Sequence, residues 1–188
     1  MGFQFLDEYN TYLKRYFFLE KNVDNLGYFT RILVMPSFQK EEYLSIYQDG
    51  EVYNLLNVIP NESVWVSLQN SKQQEKDPNF PDINKIQVTK KSKQVSKDLY
   101  DAINETMWKM VMKSKYPPGN LFDVLDGSNY IFSAGLGVCA MTTGQGGENI
   151  ETLIKITHML LDYAKSDNSS FDEEMKIINI SKVLNDNI

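Results

Sequence analysis

The chain has 188 residues, 42% apolar and 23% charged, with a formal net charge of −6. That is enough length for one domain with its own core, and the composition lies outside the disordered and fibrous ranges. The charge disfavours nonspecific binding to nucleic acid or an anionic membrane, and one cysteine (Cys139) with one histidine (His158) excludes an internal disulfide and Cys- or His-rich metal clusters within one chain.

The first predicted element is an amphipathic helix over residues 4–18, with Leu6, Tyr9, Leu13, Tyr16 and Phe17 at helical spacing. The N-terminus carries acids early and lacks a basic start before an apolar core, so it does not read as a secretory signal. Met1-Gly2 is followed by Leu6 where a myristoylation motif wants Ser or Thr. No apolar run approaches the roughly 18 residues that cross a bilayer. A cytoplasmic location without membrane association is the expectation.

Residues 28–35 (YFTRILVM) form a β-branched and aromatic run stopped by Pro36, which predicts a strand. Asp49-Gly50 between two apolar runs predicts a hairpin, read as a type I′ turn. SVWVSLQ (63–69) predicts another strand, so that residues 28–69 make an antiparallel meander. Residues 70–82 are polar, with two prolines, and predict a loop. INKIQVTK (83–90) alternates and predicts an edge strand whose lysines discourage edge pairing.

A long helix is predicted from about Val95 to Lys113, through Leu99, Ala102, Ile103, Met107, Met110 and Val111, and Pro117-Pro118-Gly119 stops it. Asp126-Gly127 opens a second hairpin, NYIFSA and VCAMTT, joined around Gly135 and Gly137. Gly144 to Gly147 leads into a helix with the stripe Leu153, Ile156, Leu160 and Ala164, widened by Ile154 and Leu161. A last helix uses Phe171, Met175 and Ile178. This order predicts a single α+β domain over 1–188: a mostly antiparallel sheet of about five to seven strands packed with three to four helices.

Candidate chemistry is sparse. The Gly144–Gly147 turn is placed like a phosphate loop, but it lacks a lysine and has Glu148 and Glu151 close by, so a connector is preferred. Cys139 in an apolar strand reads as a small buried hydrophobe, and His158 as a structural residue. A Cys139/His158 pair is the alternative, if strand and helix pack together. The lysine-rich tract from Lys85 has no arginine and reads as a solvated strand edge. The N-terminal aromatics from Phe3 to Phe18 exceed what one helical face absorbs, leaving a residue or two for a partner.

Charge is uneven along the chain: residues 85–115 carry eight basic and three acidic groups, residues 116–188 four and ten. Asp123, Asp126, Glu148 and Glu151 bracket the second hairpin. Paired carboxylates hold metals or work as acid and base, yet turns and helix starts explain these four locally. They are read instead as a negative binding rim, with no metal and no cofactor.

Met35-Pro36-Ser37-Phe38 and Asp126-Gly127-Ser128-Asn129-Tyr130-Ile131-Phe132, in this order around a hairpin and a helix, resemble small bacterial proteins without assigned activity. These include immunity proteins of interbacterial toxins. The resemblance implies a compact, acidic, non-enzymatic inhibitor that occludes the active site of a toxin domain. The alternatives are an enzyme or small-ligand and phosphate binder using Gly144–Gly147, and a structural or adaptor subunit using the N-terminal aromatics.

Overall fold

A computed structural model of the chain describes residues 3–17, 30–37, 39–73, 77–79, 82–114, 127–135, 138–144, 146–167 and 170–188. Its strands are β1 (Thr30–Pro36), β2 (Glu42–Asp49), β3 (Val52–Pro60), β4 (Val88–Val95), β5 (Ser128–Ala134) and β6 (Val138–Thr142). Its helices are α1 (Phe3–Phe17), α2 (Val64–Ser71), α3 (Lys97–Lys113), α4 (Gly147–Lys165) and α5 (Phe171–Asn187), with a 3-10 turn at Ile83–Lys85. The six strands form one antiparallel sheet in the order β4-β3-β2-β1-β5-β6. The α+β expectation holds, with five helices among the described residues rather than three to four.

Alternation along the strands fills two cores from one sheet. Ile32, Leu44, Ile46, Leu55 and Phe132 pack against α3, α4 and α5. Leu33, Tyr43, Leu56 and Val58 point the other way, against Tyr9, Leu13, Phe17, Val64 and Leu68 of α1 and α2.

The extra helix is the principal correction. Residues 63–69 were expected to be a strand and form most of α2 instead. Ser63 caps it by accepting from the Val66 amide at 3.3 Å. The buried carboxylate of Glu41 accepts from the Val64 and Trp65 amides at 2.8 Å each. Two otherwise orphaned helix-start donors are thereby satisfied, while Val64, Ser67 and Leu68 are buried at helical spacing. The fourth meander strand is β4, shifted from the expected 83–90 because Asp82 caps the 3-10 turn.

The first hairpin pairs Asp49 with Val52. Gly50 has φ +60 and Glu51 is not in the positive-φ region. A type I′ turn needs both central residues there, so the pattern is that of type II′. Asp49 closes the strand rather than entering the turn.

α3 begins two residues later than expected, with Ser96 as its cap and Val95 still in the sheet. Residues 117–119, expected to stop it, lie outside the described residues. In α5 the buried side is Ile177, Ile178, Ser181 and Leu184, while Phe171, expected in the stripe, is 72% exposed. Ser170 and Glu173 form a capping box there, which fixes the helix start without burying its first side chain.

Candidate functional site

The expected acidic rim is only half visible. Asp123 and Asp126 lie outside the described residues. Glu148 and Glu151 are exposed near the start of α4, and between them in the chain come Asn149 and Ile150. These two line a groove of about 390 Å³ between α3, β6 and α4, which Phe132 of β5 and Ile188 also line. Met110, Val111, Phe132, Ala140, Ile150 and Leu153 give it an apolar interior, with Lys113, Ser114, Thr142 and Asn149 as its polar liners. The volume lies within the usual range for ligand and anchor pockets.

Beside the groove runs a ridge that the sequence reading did not single out. Trp108 (43% exposed) and Met112 (56%) stand one turn apart on α3, and Val138 is exposed on the same side of β6, whereas Met141, opposite Ile131, is exposed on the strand's other face. Trp108 shares a second hollow with Ala134, whose cross-strand partner is Val138. The signal was present in the sequence. Trp108 and Met112 are spaced i, i+4 but fall off the buried stripe of Leu99, Ile103 and Met107, so a second apolar face was legible on α3.

β6 itself is the outer strand of the sheet, paired only with β5 among the described residues. Its sequence, VCAMT, holds no charge and no proline. The opposite edge, β4, carries Lys90, Lys91 and Lys93. Lys91 and Lys93 also donate to main-chain carbonyls at the end of α4: Lys91 to Lys165, Lys93 to Tyr163 and Ser166. The lysine tract read as a solvated edge therefore also caps a helix C-terminus, where cations are favoured.

Cys139, expected to be buried, is exposed. It pairs with Ser133 and so points away from the face shared by Tyr130, Phe132 and Ala134. His158 lies on that other face, its Nε2 3.0 Å from the Tyr130 hydroxyl. The strand pleat thus keeps Cys139 and His158 on opposite sides of the sheet. In the turn before α4, Gly144 has φ +83, and a side chain there would meet the Tyr130 ring. The N-cap of α4, Gly146, provides no side-chain cap.

Two further carboxylates are buried by design of the fold. Glu41 accepts from the Tyr9 hydroxyl at 2.8 Å as well as from the start of α2. Glu174 accepts from the Tyr163 hydroxyl at 2.8 Å and from the Ser96 amide at the start of α3 at 2.9 Å. Each joins a tyrosine to a helix N-terminus, which is a structural use of a buried charge. Burial, reinforced by the Glu41 charge, holds the Tyr9 hydroxyl well above the ordinary tyrosine pKa. Among the described residues no group of three His, Cys, Asp or Glu side chains is placed to hold a metal ion, and no helix is long and apolar enough to cross a membrane.

Compared with protein-family models, curated proteins and solved structures, the chain finds no match in any of the three.

Proposed function

We propose that the chain is a non-enzymatic protein-binding domain, and that its partner docks on the surface made by α3, β6 and the start of α4. The observation that carries this reading is the position of the exposed Trp108 and Met112 on α3 and of Val138 on β6, the two elements that flank the apolar groove. Tryptophan is the side chain most enriched at binding hot spots, and methionine adapts to varied apolar partners. The specific form we favour is an immunity-type inhibitor that covers the active site of a toxin. The acid excess of residues 116–188 supports a basic partner.

The test is capture of a partner from the source cell on the immobilised chain, then binding of that purified partner to parent and Trp108→Ala/Met112→Ser protein. Affinity should fall at least ten-fold in the variant, and added parent chain should lower the partner's own activity. Equal affinity removes this surface from the interface.

A second reading has one observation in its favour: the groove is of a size to enclose a small apolar molecule. Thermal stabilisation by such a compound, retained in Trp108→Ala/Met112→Ser, would favour it.

A further inference from the structure

We infer that the partner's recognition element is an extended segment that adds to β6 as a seventh strand, with apolar side chains at alternate positions and basic residues at its ends. The inference rests on the binding-domain reading and specifies its chemistry.

The two sheet edges differ in a way that bears on pairing. Natural edges are commonly blunted with lysine, proline or bulges. β4 has three lysines along its length. β6 has none of these guards over its five residues, and two of the five are exposed large apolar side chains. An unguarded, apolar edge is a template for a further strand.

The groove lies where such a strand needs it. Ala140 packs against the α3–α5 core and Thr142 lines the groove, so both face the helical side. A strand added to β6 continues the pleat, and every second side chain falls on that same side, above Met110, Ile150 and Leu153. Main-chain bonds then supply affinity and the groove selects apolar residues at one parity.

Charge selects the occupant. Glu148 and Glu151 are exposed on the α4 bank, and residues 116–188 carry ten acids against four bases. A second copy pairing β6 with β6 would bring the same acid excess to the edge, whereas a segment ending in lysine or arginine meets complementary charge. Lys113 lines the opposite bank, which places the acidic contacts at the α4 end of the strand.

The probe is an acetylated, amidated nine-residue peptide, Lys-Lys-Val-Thr-Val-Thr-Val-Lys-Lys, titrated by NMR and by Trp108 fluorescence. Amide shifts should map to residues 138–142. An added strand turns alternate N–H groups toward β6, so N-methylation at one parity should weaken binding at least ten-fold and at the other parity less than two-fold. Val138→Lys, with the fold checked by circular dichroism, should also cost at least ten-fold, and Glu148→Lys/Glu151→Lys at least three-fold. Equal effects at both parities, equal binding of a glutamate-flanked peptide or of a helical amphipathic peptide, or no binding by the probe, each overturns the inference. So does a dimer in sedimentation equilibrium that Val138→Lys abolishes, because a second copy then occupies the edge. If the peptide fails while a protein partner still depends on Trp108 and Met112, strand addition falls and the binding-domain reading stands.

Discussion

Glu41 is 1% exposed and has no cation among the hydrogen-bond partners it serves; it accepts from the Tyr9 hydroxyl and two helix-start amides. Such a carboxylate is tolerated because donors replace water around it. Removing the hydroxyl in Tyr9→Phe deletes one bond to a charged group and should cost about 1.5–3 kcal/mol at neutral pH, measured by urea unfolding. The pH dependence follows from the direction of the Tyr9 shift. Its folded-state pKa is raised by burial, then by Glu41, so its contribution is fully present below the unfolded value of about 10 and is lost as pH climbs beyond it. Thermal midpoints should therefore fall above about pH 10, less steeply in Tyr9→Phe. Parallel curves would mean that other tyrosines govern the alkaline limb; Tyr16 and Tyr100 are also shifted upward, chiefly by burial. Gly50 is the other informative residue. Nothing lies within 4 Å of where its side chain would sit, so a substitution meets only the backbone penalty of φ +60. Gly50→Val should cost about 1–2 kcal/mol, and an unchanged unfolding midpoint would refute the turn assignment.

At the scale of elements, α2 shows why local pattern alone misleads. Ser-Val-Trp-Val-Ser alternates with period two, yet Val64, Ser67 and Leu68 also satisfy helical spacing. The choice is made by Glu41, more than twenty residues earlier in the chain, whose carboxylate is held at the helix start by tertiary structure. Glu41→Gln puts an NH₂ donor among donors and should destabilise by about 1–3 kcal/mol, with loss of the Trp65–Tyr9 edge-on contact (centroids 4.9 Å apart) visible in near-UV circular dichroism. Long periodic segments were the legible ones. α3 and α4 each carried a strong apolar stripe, α5 was legible through Ile178 though not through Phe171, and the first hairpin was announced by Asp49-Gly50. The groove was less legible, because α3, β6 and α4 reach it from separate parts of the chain and no local motif marks their meeting. Its exposed ridge left a trace in the i, i+4 spacing of Trp108 and Met112, whereas the exposure of Cys139 depended on which way β6 faces, a matter of register.

For the whole molecule, the central fact is one sheet serving two cores. Ile32 and Leu33 are neighbours in β1, yet Ile32 packs into the α3–α5 core and Leu33 toward α1 and α2. Each helical layer packs its apolar side on one face of that sheet, so loosening one side should loosen the other and unfolding should be a single transition. The chain offers a reporter for each layer: Trp65 on α2, against the α1–α2 core, and Trp108 on α3. Ile156, fully buried beneath α4, is remote in the chain from both. Ile156→Ala should cost about 2–5 kcal/mol through lost burial and the cavity left behind, and each kcal/mol lowers the melting point of a chain this size by about 2–4 °C. Made in Trp65→Phe and Trp108→Phe backgrounds, it should shift the two fluorescence midpoints by the same amount relative to their own parents. If the Trp65 signal keeps its midpoint while Trp108 moves, α1 and α2 are held by a separable core and the shared sheet does not couple the layers. Coincident shifts would mean that a partner bound at α3 and β6 stabilises the α1–α2 layer too, since ligand bound only to the folded state raises the stability of every element in one cooperative unit.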